Sequence, residues 1–478
     1  MSTPRPTLAH YRHVLALLAA ALLIPALFNG FPLVHPDSGT YLRVAARIGW
    51  PVDRSGFYGL LMLPAVQALG GPAALWLWIA LQAVLTAVIL VLVLKSLIPD
   101  FSTRQLLALG ALMIIGTALP WQAAQLMPDA FTGLVVLTAW LAMSRSPTAP
   151  GVPLLWLTVC ILAVTHVTHL VILLALGSVM VAVALLERLP RGEVIARAGA
   201  LLVACLFIAG AQIAINGSKL GIPAVSPSGP IFLFARLNED GHMQPWLDRH
   251  CGKDAPANLC AIRDQLPHDS QKLLWGPDSG TWFPAPAPGE QQRFVDLMNA
   301  FGAADRGAIA ERPGAVLKTS VRGAASQLLT FGPLDDECPE MCADPDSVLR
   351  LSFDQAGHGY AATLTASRQL RGTMPDLLVR SLTFPMTVCG LLALLPLLVA
   401  ASTRRDFEAT SLLAVVVVTL AVNAFMAGAL SDVHARYQSR IVWLAPLAVI
   451  GVFCRWKVAG RRRSSAVIIR PKEEAAAI

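Results

Sequence analysis

Long apolar runs separated by short polar stretches dominate the 478-residue chain. A helix that crosses a bilayer needs roughly 20 predominantly apolar residues, fewer where the helix is short or the membrane thin. On that measure the pattern predicts about ten spans: 13–33, 73–95, 104–121, 130–144, 153–166, 168–187, 198–216, 378–401, 409–430 and 441–457. The apolar run 152–187 is too long for one crossing and short for two. It is predicted as two helices meeting near His166–His169. The stretch Phe57–Leu69 is apolar but short and carries Pro64, which suits a re-entrant or surface-lying helix.

Between the seventh and eighth spans the pattern changes. Residues 217–377 are polar and rich in proline and glycine, with Pro223, Pro227 and Pro230 early and a Pro-Ala-Pro-Ala-Pro stretch at 284–288. Helical periodicity returns at Gln291–Phe301 and Ala315–Leu329. The expected fold class is an all-α polytopic membrane protein of about ten transmembrane helices with an inserted domain, mixed α/β or irregular. The expected division is an N-terminal membrane part with first-loop surface helices (1–216), the inserted domain (217–377), C-terminal membrane helices (378–460) and a basic tail (461–478).

Composition excludes the main alternative. Hydrophobic residues make up 55% of the chain and charged ones only 14%, with a mean hydropathy of +0.59. A water-soluble protein could not hide that much apolar surface. The net charge of +7 reflects basic loops, because no basic patch interleaves with aromatic residues as nucleic-acid binding requires. Arg5, Arg12, Lys95, Arg104, Arg145, Arg188, Arg191, Arg197, Arg404 and Arg405 flank the spans, and Arg455 and Lys457 at the end of the last span with Arg461–Arg463 beyond it make up the basic tail. With both termini inside, ten spans put every one of these clusters on the cytoplasmic side. Pro25 and Asn29 interrupt the first segment and no Ala-x-Ala site follows, so it is expected as an uncleaved anchor.

The same threading puts residues 217–377 outside, with Cys251, Cys260, Cys338 and Cys342. The four are either free thiols or disulfides; four cysteines allow three pairings, of which Cys251–Cys260 with Cys338–Cys342 is the most local. Disulfides belong to a region outside the cytoplasm. Cys160, Cys205, Cys389 and Cys454 lie in apolar runs and suit small core residues.

Polar clusters that carry chemistry all fall on that outer face. The first external loop reads His35-Pro36-Asp37-Ser38-Gly39-Thr40-Tyr41. Asp37 is either a helix N-cap or a general base at the membrane surface, its pKa raised by partial burial. Asp129 repeats the Pro-Asp pairing at the mouth of the fourth span, as a cap or as a second carboxylate facing Asp37. His166 and His169, three residues apart, share a helix face. Ionisable groups at membrane depth are expensive and point to function, although no third ligand for a metal stands nearby. In the last external loop, His434, Arg436, Tyr437 and Arg440 follow Asp432. The positive-inside rule does not account for Arg436 and Arg440; guanidiniums suit a phosphate, or they pair with headgroups or Asp432.

This layout resembles the GT-C superfamily of polytopic glycosyltransferases that use polyprenyl-phosphate-linked sugars. The resemblance rests on His35-Pro36-Asp37-Ser38-Gly39-Thr40-Tyr41 after the first span, the surface-helix region Leu42–Leu69, and Arg436-Tyr437 leading into the apolar run Trp443-Leu444-Ala445-Pro446-Leu447. It implies that Asp37 is the catalytic base, that Asp129 supports it, and that Arg436 and Arg440 hold the lipid phosphate. His35, Tyr41, His166, His169, His434 and Tyr437 complete the expected substrate site. Asp37 is followed by Ser38 where family members often carry adjacent acids, which speaks against a metal-dependent version; no metal ligand is assigned, and a divalent cation is the one possible cofactor. The implied partners are a polyprenyl-phosphate-sugar donor, a glycan, lipid or protein acceptor, and membrane lipids. The implied place is a bacterial inner membrane with the active face periplasmic. Two rivals are a transporter or flippase of a lipid-linked or anionic substrate and a non-catalytic assembly protein.

Overall fold

The computed structural model describes residues 8–276, 278–282, 289–334, 338, 342 and 344–468, with side chains at 281, 282 and 461–468 left out. The Pro-Ala stretch 284–288 and the end of the basic tail (469–478) lie outside the described residues. The described chain is helical, with a single isolated bridge between Leu33 and Gln125.

The N-terminal part runs α1 (Arg12–Leu22), α2 (Ile24–Asn29), α3 (Ser38–Ala45), α4 (Phe57–Leu69), α5 (Gly71–Leu97), α6 (Thr103–Gly116), α7 (Leu119–Ala123), α8 (Asp129–Ser144), α9 (Val152–Ala163), α10 (Thr168–Leu186) and α11 (Arg191–Leu220). The insert holds α12 (Gly229–Glu239), α13 (Met243–His250), α14 (Ala257–Ile262), α15 (Ser270–Trp275), α16 (Ser279–Trp282), α17 (Gln291–Glu311), α18 (Pro313–Leu329), α19 (Val348–Ala356) and α20 (Tyr360–Thr365). The chain then closes with α21 (Asp376–Thr403), α22 (Phe407–Leu430), α23 (Ala435–Val442) and α24 (Leu444–Ile468).

Among the described residues, seven segments are long and apolar enough to cross a membrane: Ala9–Asn29, Gly71–Leu97, Thr168–Leu186, Arg191–Leu220, Asp376–Thr403, Phe407–Leu430 and Ala435–Gly460. Three further predicted spans correspond to shorter apolar helices, α6, α8 and α9. The run 152–187 is two helices, broken between Ala163 and Thr168 around His166. The first predicted span ends at Asn29 rather than residue 33, because Gly30 takes φ +79° and turns the chain out of the helix. Pro25, at the start of α2, marks the break from α1.

The expected α/β content of the insert is not found: its described residues form helices and turns, with no strand among them. Two cores divide the insert. Ile231, Phe234, Trp246, Leu259, Phe294 and Phe301 pack together as a separate cluster, while Leu349, Phe353, Tyr360 and Leu364 join the core of the membrane helices. The helix α18 lies along α22, with Gly323 and Gly428 backbone to backbone; a side chain at either would clash. Two disulfides close the local pairs Cys251–Cys260 and Cys338–Cys342.

Long-range contacts tie the loops at one end together. Leu33 N–H donates to the Ala124 carbonyl at 3.0 Å and Leu126 N–H to the Leu33 carbonyl at 2.8 Å, so the loop after α2 and the loop before α8 are joined. The Gln369 side chain takes both backbone groups of Val34, at 3.0 and 2.7 Å, and Asn29 Oδ1 accepts from Gln369 N–H at 2.7 Å. Gly39 on α3 lets α19 cross closely: a Cβ there would stand 2.8 Å from Leu349 Cα. Basic residues gather elsewhere. Arg455 bonds Asp406 at 3.0 Å and the Leu97 carbonyl at 2.6 Å, and Arg404 stacks 4.0 Å from the Trp456 ring centre.

Candidate active site

The polar clusters of the separate loops meet in one place. Asp37 is the first. It precedes α3, but its carboxylate makes no capping bond to that helix. It pairs instead with Arg54 and with Arg436 at 3.1 Å, and His35 Nδ1 lies 3.5 Å away. His35 Nδ1 is also 2.5 Å from the Arg436 guanidinium. Arg54 is steadied from its other side by Asp53 at 2.8 Å. The Asp37 side chain keeps 22% of its surface exposed, so this pair of ion bridges is open at one side.

That electrostatics reverses an expectation. Burial pushes the Asp37 carboxyl up, but Arg54, His35 and Arg436 outweigh it and hold the group well below the usual carboxylate range. The expected raised pKa is therefore not what these neighbours set up. The missing element in the sequence reading was the second arginine. A guanidinium within a few ångströms favours the charged carboxylate more than partial burial disfavours it.

Asp129 forms the second, deeper cluster. It opens α8, and its carboxylate accepts from Arg440 Nη1 at 2.8 Å. Both side chains are only 2% exposed. Arg440 donates in addition to Asn423 Oδ1, at 3.0 and 2.6 Å, and stands 3.5 Å from His166 Nε2 and 3.4 Å from Thr168 Oγ1. His169 lies behind, bonded to Thr132 at 2.9 Å, its ring centre 5.4 Å from that of His166. Arg440 is thus enclosed by protein partners, not presented to the exterior as a clamp. The reason is helical geometry. Arg436 and Arg440 are one turn apart on α23, yet they flank Tyr437, with guanidinium-to-ring distances of 4.8 and 5.7 Å, and reach different carboxylates.

The remaining expected residues line the surroundings. Tyr41 is buried on α3, its ring edge-on to Tyr58 at 5.1 Å. His434 packs against Tyr437 at 5.4 Å and bonds Asp432 at 3.2 Å rather than Asp37. Asp432 does not pair with Arg436 or Arg440 but accepts from Gln271 at 2.8 Å and Ser270 at 3.2 Å, with Arg236 at 3.8 Å. Burial pushes its carboxyl up, but bonds from His434 and Gln271 hold it at about 2.

The sequence reading overlooked Arg54, Asn423, Thr168 and Gln271. Arg54 carried a usable signal: like Arg436, it is a cation in a loop that the expected threading puts opposite the basic clusters, where the positive-inside rule does not explain it. Asn423 sits mid-helix in an apolar run, where a buried amide needs partners. As to metals, no three of His, Cys, Asp and Glu gather in a metal-binding group among the described residues. Two guanidiniums beside Asp37 also make that carboxylate a poor seat for a dication.

No protein-family model matches the chain, and no curated protein does. The chain is similar to a solved structure, "Crystal Structure of ArnT from Cupriavidus metallidurans bound to Undecaprenyl phosphate". That likeness has a TM-score of 0.33 and 15% identity, and it covers 98% of this chain and 81% of that one.

Proposed function

We propose that this protein is an integral membrane glycosyltransferase of the GT-C type. It moves a sugar from a polyprenyl-phosphate-linked donor to a glycan, lipid or protein acceptor on the periplasmic face of a bacterial inner membrane. The observation that carries this reading is the Asp37 carboxylate held between Arg54 and Arg436 at the mouth of the helical bundle. A carboxylate and two guanidiniums at one spot supply the two groups that transfer from a phosphate needs, a proton acceptor and a fixed counter-charge.

In the proposed reaction the donor phosphate competes with Asp37 for Arg54 and Arg436. Guanidiniums bind phosphate in a bidentate fashion and stay charged throughout. As they turn to the phosphate, Asp37 loses its counter-charges, its pKa rises, and it becomes a better base. The acceptor hydroxyl oxygen then forms a bond to the anomeric carbon, and its proton passes to Asp37. The bond from that carbon to the phosphate oxygen breaks, and the electron pair leaves on the polyprenyl phosphate. Asp129, Arg440, Asn423, His166 and His169 act from behind: they fix α23 and so aim Arg436. His35 steadies Arg436, and Tyr437 spaces the two arginines.

The test is transfer of radiolabelled sugar from the lipid-linked pool in membranes carrying the protein. Asp37→Asn is expected to lower turnover by about 10²–10⁴-fold. Full turnover in a variant that inserts and folds normally would falsify the reading.

A further inference from the structure

The helix α15 touches both arginine-bearing segments around Asp37. At its start, Ser270 and Gln271 bond Asp432 at 3.2 and 2.8 Å, and Gln271 also meets His434 at 2.7 Å. His434 lies just ahead of Arg436. At its end, the Trp275 ring centre stands 5.7 Å from the Arg54 guanidinium carbon. Arg54 in turn pairs with Asp37 and Asp53. Trp275 is therefore one residue removed from the candidate base.

Trp275 is also out of character for its domain. Its surface is 41% exposed, while Phe234, Trp246, Phe294, Phe301, Phe353 and Tyr360 are buried. It is the exposed aromatic side chain among the described residues of 217–377. An indole that packs on Phe232 at 6.0 Å between ring centres, yet keeps two-fifths of its surface exposed beside a cluster of charges, is a feature with a chemical match. A pyranose ring carries an apolar face of C–H bonds and a rim of hydroxyls. An indole takes the first by dispersion and weak C–H contacts; the carboxylate of Asp53 and the guanidinium of Arg54 can take the second.

We propose that Trp275 on α15 is the platform on which a pyranose ring lies next to Asp37, backed by Arg54 and Asp53. This rests on the transferase reading for what the sugar does there, and extends it to where the sugar sits. The ring comes either from the donor or from a carbohydrate acceptor, and the chemistry is the same for both.

The direct test is fluorine NMR of the full-length protein in nanodiscs, labelled with 5-fluorotryptophan, with Trp275→Phe assigning the signal. The probes are methyl glucopyranoside, methyl galactopyranoside and methyl mannopyranoside, with glycerol as a polyol lacking a ring face. The expected result is a saturable shift of the Trp275 signal with at least one glycoside and none with glycerol. No shift with any glycoside, or an equal shift with glycerol, overturns the proposal. In the transfer assay Trp275→Ala is expected to raise one KM by about tenfold at nearly unchanged kcat, and Trp275→Phe to restore most of it. A rise confined to the donor or to the acceptor names the source of the ring; no rise in either overturns the proposal. If glycosides move the signal but Asp37→Asn keeps full turnover, the sugar platform stands and the catalytic reading falls. If Asp37→Asn abolishes turnover and the signal stays still, only the platform falls.

Discussion

The buried pair Asp129–Arg440 offers a measurement of what holds the site in place. With both side chains 2% exposed and 2.8 Å apart, neither charge has water to fall back on. Removing one partner of such a pair strands the other charge, at a cost of about 3–5 kcal/mol. Asp129→Leu leaves Arg440 with Asn423 and Thr168 as neutral acceptors; Arg440→Met leaves Asp129 without its hydrogen-bonded counter-charge. Each single variant is therefore expected to lose stability in that range. The double variant Asp129→Leu with Arg440→Met removes both charges together and leaves chiefly the Asn423 amide short of a partner, a cost of about 1–3 kcal/mol. It should be more stable than either single variant, a coupling of at least about 3 kcal/mol. The assay is equilibrium unfolding in mixed SDS micelles followed by far-ultraviolet circular dichroism. Single variants that cost less than about 1 kcal/mol, or a double variant whose loss is the sum of the two, would refute the reasoning.

Other expectations are smaller in scope. The acid limb of kcat/KM is expected below the ordinary carboxylate range, because Arg54, His35 and Arg436 hold Asp37 ionised before substrate binds; the limb of kcat should lie at higher pH, because the arginines have turned to the phosphate, and coincident limbs would contradict this. Asp305, 3% exposed in α17, has its carboxyl pushed by burial from 3.8 up to about 8, against a smaller lowering by Arg306. Its folded pKa lies above its unfolded one, so its stability contribution is complete below about pH 4 and is lost as pH rises through about 8; thermal midpoints at pH 5 and pH 8 should fall for the wild type and fall less for Asp305→Asn. Gly39→Leu should push α19 off α3, where a Cβ already meets Leu349 Cα at 2.8 Å, at a cost of about 1–3 kcal/mol; hydrogen exchange over 348–356 should accelerate, and unchanged exchange would contradict the close crossing.

How far the sequence could be read depended on how local each determinant was. The break between α9 and α10 was legible because two histidines and two threonines interrupt a single apolar run. The short pairing of cysteines was legible because neighbours in sequence meet easily. The first span was overextended because the left-handed turn at Gly30 leaves little trace in a hydrophobic run. The convergence of Asp37, Arg436, Asp129 and Arg440 followed from the one-sided placement of polar loops, but the pairing did not. Nothing local tells Arg436 from Arg440, and only the packing of α23 against α8 and α22 sends one to Asp37 and the other to Asp129. The wrapping of Val34 by Gln369 joins residues 335 positions apart, beyond the reach of any periodicity. It also explains why the end of the insert belongs to the membrane core, not to the outer cluster.

The most direct measurement is the affinity of the purified protein for a polyprenyl phosphate, compared between the wild type and Asp37→Asn by native mass spectrometry. Asp37 occupies Arg54 and Arg436, so removing its charge should free both for the lipid phosphate. Asp37→Asn is expected to bind the lipid more tightly, by about tenfold, while losing turnover. Unchanged or weaker binding would mean that these arginines do not serve the phosphate, and the shared site built around Asp37 would have no chemical basis.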